Sequence, residues 1–168
     1  ALISFAVIMH SCSKSETTET DPVAGLTKQA EGYAAGAATR VVVYTKETTI
    51  YAGYTRFYIA LYDSVNGQRI EDAHVKLSPM MDMGTMKHAA PFENPAYETA
   101  VNHLFPCSVV FVMSSMGGNW TVKLTVHNHL TGKEGFITIP LTVAEPAIAR
   151  VKSFTAAHDG NKYFVSLI

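Results

Sequence analysis

The chain has 168 residues, enough for one domain of ordinary size with flanking segments. Its 14 acidic and 13 basic residues nearly cancel, and no basic block stands out, which argues against a nucleic-acid-binding protein. Charged residues make up only 16% of the chain, whereas Val, Ile, Thr, Tyr and Phe are abundant, a composition that favours β-structure.

The N-terminus resembles the end of a bacterial signal peptide. Residues 1–9 form an apolar run that is too short to span a bilayer as a helix. Ser11 then precedes Cys12, as a small residue precedes the cysteine of a lipobox. We therefore predict that residues 1–11 are a signal peptide remnant and that Cys12 is the lipid attachment site. An N-terminal strand or helix with a chance cysteine is the alternative.

The next segment, residues 12–38, has the composition of a linker. It is rich in Ser, Thr, Glu, Ala and Gly and has few large apolar side chains. Such a segment cannot bury enough apolar surface to offset the entropy that is lost on ordering. We predict a flexible, lipid-anchored tether that lets a domain at residues 39–144 stand off the membrane of a bacterial cell envelope, in the periplasm or at the outer membrane.

From residue 39 to residue 144 the sequence shows short strands separated by turns and no helical period. The candidate strands are residues 41–44, 56–62, 73–77, 97–105, 107–113, 120–127 and 135–143. Asn66-Gly67 predicts a hairpin turn with positive φ at both residues, and Pro140 indicates an edge strand. About seven strands of this kind predict an all-β fold, an antiparallel immunoglobulin-like β-sandwich.

The clearest strand is at residues 120–127. Trp120 and every second residue after it are apolar, while the residues between them are Thr, Lys or His, so one face is expected to be buried. His127 and His74 are therefore expected to face solvent. We give such isolated histidines less weight as metal ligands than the methionine-rich segment at residues 80–88.

Methionine is concentrated in one segment. Four of the chain's seven methionines lie within residues 80–86, His88 follows, and prolines border a predicted long connection at residues 79–95. Thioether sulfur and imidazole nitrogen suit Cu(I), which prefers soft ligands. We predict a copper site whose ligands are drawn from Met80, Met81, Met83, Met86, His88 and Met116. Of these, Met83, Met86 and His88 are the first choice.

Two other features leave alternatives open. Methionine also lines adaptable apolar surfaces, so the same segment is compatible with a partner-binding patch. Cys107 lies in a strand-like context and is interpreted as a buried inert thiol, with a thiolate ligand as the alternative. No Gly-x-Ser-x-Gly, Gly-rich phosphate loop or His-Glu-x-x-His motif occurs, so we expect neither an enzyme nor a small-molecule substrate.

Residues 73–126 resemble the YtkA-like and FixH-like domain family. The resemblance lies in the Pro-Met-rich segment at residues 75–88, in Pro91 and Tyr97, and in the Met-Gly-Gly-Asn-Trp sequence at residues 116–120. It implies a small envelope β-sandwich that handles copper or assists the assembly of respiratory metal centres. The turn at residues 113–118 is longer than the compact turn typical of the family.

The end of the chain echoes an earlier part. Residues 162–167 mirror residues 56–61, and Arg150-Val151 repeats Arg40-Val41. We predict that residues 145–168 are a linker and the truncated start of a second, similar β-sandwich, with chance similarity of two strands as the alternative.

Together these features predict an envelope lipoprotein that binds Cu(I) for chaperoning, buffering or metal-centre assembly. Its expected partners are the membrane, through the anchor, and an envelope protein, but not nucleic acid. The alternative is an immunoglobulin-like interaction or structural module of a cell-envelope complex.

Overall fold

The computed structural model describes residues 21–166, so the predicted signal peptide remnant and Cys12 lie outside the described residues. The strands are β1 (Thr27–Ala34), β2 (Thr39–Thr45), β3 (Ile50–Tyr51), β4 (Gly53–Asp63), β5 (Ala73–Asp82), β6 (Lys87–Ala89), β7 (Phe92–Glu93), β8 (Phe105–Phe111), β9 (Asn119–Asn128), β10 (Lys133–Leu141), β11 (Val143–Ala144), β12 (Val151–Thr155) and β13 (Lys162–Ser166). Short 3-10 turns occur at Ala35–Ala37 and Ser115–Gly117. In this part of the chain no helix is long and apolar enough to cross a membrane.

Two antiparallel sheets form the body of the protein. Sheet 1 has the strand order β1-β2-β4-β8-β7, and sheet 2 has the order β10-β9-β5-β6. The short strand β11 pairs with β3 in parallel, and β12 pairs with β13. The predicted all-β antiparallel sandwich is confirmed, and Pro140 lies on an edge strand as expected, since β10 is the first strand of sheet 2.

The core lies between the two sheets and contains aromatic rings from both. The predicted alternation in β9 is confirmed, because its buried face carries Trp120, Val122, Leu124 and Val126. The Trp120 ring packs edge-to-face on Phe111 of sheet 1 at 5.1 Å, and Phe111 packs in the same way on Phe57 at 6.2 Å. Full burial of side chains of this size contributes about 1.5–3 kcal/mol each, so this contact holds the two sheets together.

The predicted tether is wrong for its second half. Residues 27–34 form β1, which pairs with β2, and Ala37 is buried. A Cβ atom on Gly36 would lie 2.5 Å from Glu134 O, and one on Gly135 would lie 2.4 Å from the Ala37 nitrogen. Gly36, one of the small residues that suggested a tether, is therefore required by this backbone-to-backbone contact. The sandwich begins at residue 27 rather than at residue 39.

The chain reverses at Asn66-Gly67 as predicted, because the Asp63 N–H donates a hydrogen bond to Gln68 O at 2.8 Å, but the predicted type of turn is wrong. Gly67 has a left-handed φ of 73°, but Asn66 does not adopt a positive φ. The Asp63 carboxylate instead accepts hydrogen bonds from the N–H groups of Val65 and Asn66, at 2.8 and 3.0 Å. The turn connects β4 of sheet 1 to β5 of sheet 2, so the chain crosses between the sheets here.

The strand predicted at residues 97–105 is not formed. Asn102 and His103 have positive φ angles of 49° and 64°, a left-handed conformation that reverses the chain. The segment makes isolated bridges only, and the regular strand begins at Phe105.

The C-terminal hairpin of β12 and β13 pairs Val151 with Ser166. Both strands expose large apolar side chains, including Phe154 and Val165, each 54% exposed. The strands that they resemble, β2 and β4, are antiparallel neighbours as well. This agreement is local, and the second domain stays a prediction.

Candidate metal centre

The methionine segment is a β-hairpin rather than the long irregular connection that we predicted. β5 continues to Asp82, and the chain turns and returns as β6. Asp82 Oδ1 accepts a hydrogen bond from the Gly84 N–H at 2.9 Å, and Oδ2 lies 3.1 Å from Lys87 Nζ. The Gly84 N–H first, and Lys87 second, hold the pKa of Asp82 below its usual value. These contacts close the turn that carries the methionines.

Strand geometry places Met80 and Met81 on opposite faces of sheet 2. The Met81 side chain is completely buried in the core. Met80 lies on the outer side, where its carbonyl oxygen accepts a hydrogen bond from Thr121 Oγ1 at 3.3 Å. Met80 is therefore separated from the inward-facing residues and is not among the candidate ligands.

Three thioether side chains meet at Gly117, at one end of the sandwich. The position that a Cβ atom on Gly117 would occupy lies 3.7 Å from Met113 Sδ, 3.5 Å from Met81 Cε and 3.8 Å from Met83 Cε. Met83 and Met113 are half-buried against the core, and Met81 lies beneath them in the core itself. The hairpin and the segment after β8 thus bring methionine side chains from both sheets to one place.

Met113 is the ligand candidate that sequence analysis missed. The Trp120 indole N–H donates a hydrogen bond to the Met113 carbonyl at 3.0 Å, which fixes the chain as it leaves β8. Met116, which we predicted instead, is 90% exposed, so its sulfur lies in solvent. The closeness of Met113 to Trp120 in the sequence could have indicated this role, but it did not show whether Met113 or Met116 faces the core.

The turn at Ser115–Gly117 lies directly against the methionine hairpin. A Cβ atom on Gly118 would lie 2.5 Å from Asp82 O and 3.1 Å from Met83 Cγ, so only glycine allows this approach. Ser115 Oγ accepts a hydrogen bond from the Val143 N–H at 2.9 Å and ties the other side of the turn to β11. The position of Met113 relative to Met83 is therefore determined by backbone packing.

A thioether and an imidazole stand next to this cluster. His88 Nε2, on β6, lies 3.2 Å from Sδ of Met86, which is the last residue before that strand. In the β5–β6 register His88 is directly opposite Met81, and opposite residues in an antiparallel pair share one face of the sheet. Met86 is 53% exposed and His88 is half-buried, so the pair forms the open side of the cluster.

We name the group of Met83, Met86, His88 and Met113 the methionine site, with Met81 as its buried floor. Among residues 21–166, no three His, Cys, Asp or Glu side chains form a ready-made metal site, so a metal at this end would depend on thioether sulfur. Soft thioethers with imidazole select Cu(I) over hard cations such as Mg²⁺ and Ca²⁺.

Cys107 lies in β8 and takes no part in this group. Its thiol is free and 4% exposed, and burial raises its pKa to about 12, with Arg56 acting weakly in the opposite direction. The thiol therefore stays protonated at neutral pH. The expected burial of Cys107 is confirmed, and its low reactivity stays a prediction.

The chain matches no known family, no curated protein and no solved structure. The YtkA-like and FixH-like resemblance therefore stays a prediction. Function has to be argued from the chemistry and geometry of the residues themselves.

Proposed function

We propose that this protein binds Cu(I) at the methionine site and serves as a copper chaperone, a copper buffer or a metal-centre assembly factor of the bacterial cell envelope. The observation that carries the proposal is the 3.2 Å approach of Met86 Sδ to His88 Nε2, in a hairpin whose Met81 and Met83 side chains meet Met113 at Gly117. The YtkA-like and FixH-like resemblance of the same residues supports it.

The ligands suit reversible capture. Thioether and neutral imidazole carry no charge, so Cu(I) is held by soft coordination alone. The nearby Asp82 carboxylate is paired with Lys87 at 3.1 Å, which leaves little net charge to attract hard cations. Methionine is flexible and unbranched, so Met86 at the open side can close on an ion and release it again.

A Cu(I) competition titration of the full chain against a coloured Cu(I) chelator, without oxygen, tests the proposal. Met83→Leu, Met86→Leu and Met113→Leu each remove sulfur while they keep the apolar volume, an exchange that costs less than about 1.5 kcal/mol of stability. We expect each of these variants and His88→Gln to bind Cu(I) more weakly.

Met80→Leu is the matched control, since Met80 lies on the same hairpin but on the opposite face of the sheet. It should bind Cu(I) as tightly as the unchanged protein. The proposal would be refuted if the unchanged protein failed to bind Cu(I). It would also be refuted if the four site variants bound Cu(I) as tightly as the Met80→Leu control.

A second candidate function rests on the exposure of Met116. Met116 is 90% exposed and Met86 is 53% exposed, so each offers an adaptable apolar side chain to a protein partner of the envelope. This candidate predicts that Met116→Gln weakens partner binding and leaves Cu(I) binding unchanged. This second function would be contradicted if the protein bound Cu(I) but Met116→Gln changed the binding of no partner protein.

The envelope location is part of the proposal and rests on Cys12. A lipid at Cys12 and the residues before β1 would hold the sandwich at a membrane surface. Expression of the full precursor in a bacterium tests this, since Cys12→Ala should move the protein from the membrane fraction to the soluble fraction. An unchanged distribution would contradict the anchor.

A further inference from the structure

Three histidines lie together at the other end of β5 and β9. His74 near the start of β5 is directly opposite His127 of β9 in the register, and His129 follows just after β9 ends. The rings of His127 and His129 have centroids 5.1 Å apart and stand nearly perpendicular, at 76°. Asn128 between them is buried, so the two histidines share the outer face of sheet 2 with His74.

Two carboxylates complete this group. Glu98 Oε1 lies 3.6 Å from His74 Nδ1, and Glu98 Oε2 lies 3.9 Å from His129 Nε2, so one carboxylate faces two of the three histidines. Asp72 Oδ1 lies 2.7 Å from His129 Nδ1. Backbone hydrogen bonds hold these segments in place, from the Ala73 N–H to Glu98 O at 2.9 Å and from the His129 N–H to Asp72 O at 3.3 Å.

We propose that His74, His127, His129 and Glu98 form a second metal site, for a divalent transition-metal ion of the Cu(II) or Zn(II) type. Imidazole is a good ligand for both ions, and one carboxylate with two or three imidazoles is a donor set that binds them at neutral pH. No thioether is among these residues, so the site has no preference for Cu(I).

Asp72 acts as a positioning residue in this site. A proton on Nδ1 of His129 is donated to Asp72, which leaves the lone pair of Nε2 for a metal ion. Nε2 is also the nitrogen that faces Glu98. Carboxylates that accept the second N–H of a metal-bound histidine orient the ring and raise its basicity.

Binding requires side-chain rotation but no movement of the strands. In the described part of the chain the donor atoms are not yet gathered around one point. The side chains have room to rotate, since those of His129, His74 and Glu98 are 26%, 41% and 60% exposed. The β5–β9 register holds the backbones of His74 and His127 side by side, so these two ligands are already neighbours before an ion binds.

The experiment is a calorimetric titration of the full chain with Zn(II) and, separately, with Cu(II). Cu(II) is also followed by electron paramagnetic resonance, in which bound imidazole nitrogen gives a characteristic splitting. We expect one equivalent of each ion to bind. His127→Gln and His129→Gln should each weaken binding at least about tenfold, and Asp72→Asn by about 10- to 100-fold.

His158→Gln is the matched control, because His158 is an exposed histidine in the β12–β13 connection, 78% exposed in its side chain. His88→Gln is a second control, which disables the methionine site. Neither should change Zn(II) or Cu(II) affinity. The proposal is overturned if the unchanged protein binds neither ion, or if His127→Gln and His129→Gln bind both ions normally. Failure of the methionine site to bind Cu(I) would not change the expected Zn(II) and Cu(II) affinities, since the two sites share no residue.

Discussion

The two ends of β5 present different chemistry to a metal ion. Near its start, His74 stands on the outer face of sheet 2 with two histidines of the β9 end and Glu98. At its far end, about 30 Å along ten residues, Met81 and then Met83 lie on the inner side, against the core. β5 pairs with β9 without interruption, so the difference in donor chemistry between its two ends comes from the face of the sheet that each residue occupies.

The two ends differ in which donor atoms are buried and which are exposed. Thioethers are apolar and tolerate the core, so a sulfur site can share its floor with the hydrophobic interior. Imidazole and carboxylate lose solvation when they are buried, so those without a metal or hydrogen-bond partner are less costly on the outer face. A strand that alternates between the two faces can therefore carry a thioether-rich site on one face and a site of histidines and carboxylates on the other.

The largest effect is expected from truncating the floor of the methionine site. Met81→Ala removes a fully buried side chain and should destabilise the protein by about 2–5 kcal/mol, because it leaves a cavity between the sheets. Met80→Ala, the neighbouring change on the outer face, should cost much less. Urea unfolding of both variants measures the difference, and equal losses would contradict the assignment of the two residues to opposite faces.

A smaller effect is expected from the glycines that bring the turn onto the hairpin. Gly118→Ala places a Cβ atom against the Asp82 carbonyl, which cannot move aside freely, and should cost about 1–3 kcal/mol. It should also weaken Cu(I) binding, since Met83 is displaced, while Zn(II) binding at the histidine end stays unchanged.

Gly117→Ala is the control for Gly118→Ala. Its Cβ would meet Met81, Met83 and Met113 at ordinary contact distances of 3.5–3.8 Å. It should change the free energy of unfolding by less than about 0.5 kcal/mol. If the two variants behave alike, the close approach at Gly118 does not position the methionines.

The smallest effect near neutral pH concerns Cys107, a sulfur that belongs to neither end. Because burial raises its pKa to about 12 in the folded protein, above the usual value of 9.0, its contribution to stability is complete below pH 9 and is lost as the pH rises from 9 towards 12. Iodoacetamide at pH 8 should leave Cys107 unmodified in the folded chain and modify it after unfolding in urea. Rapid modification of the folded protein, followed by mass spectrometry, would show that the thiol is accessible.

Part of the fold could be predicted because strand patterns are local. Alternation at residues 120–127 shows β9 and its buried face directly, and Pro140 indicates an edge. The errors occurred where a distant contact decides the structure. Residues 27–38 appeared as a tether because their small side chains were judged alone, whereas Gly36 and Gly135 are small because two backbones touch there.

The candidate site could be predicted only in part for the same reason. Methionine density at residues 80–86 indicated soft-metal chemistry, and Met86 does approach His88. Because β5 reaches Asp82, the two-residue period of a strand places Met80 and Met81 on opposite faces. The sequence suggested a loop at these residues, so that period was not applied to them. Met113 comes from the other sheet, and no local pattern connects it to Met83.

The sequence by itself determined the all-β class, the buried face of β9 and the supply of thioether and imidazole donors, since these depend on residue type and on the two-residue period of a strand. Tertiary structure alone decided which donors meet. The packing of two sheets joins Met113 to the β5–β6 hairpin, and the β5–β9 register sets His74 beside His127. Such pairings depend on contacts between residues far apart in the chain, which composition and periodicity do not encode.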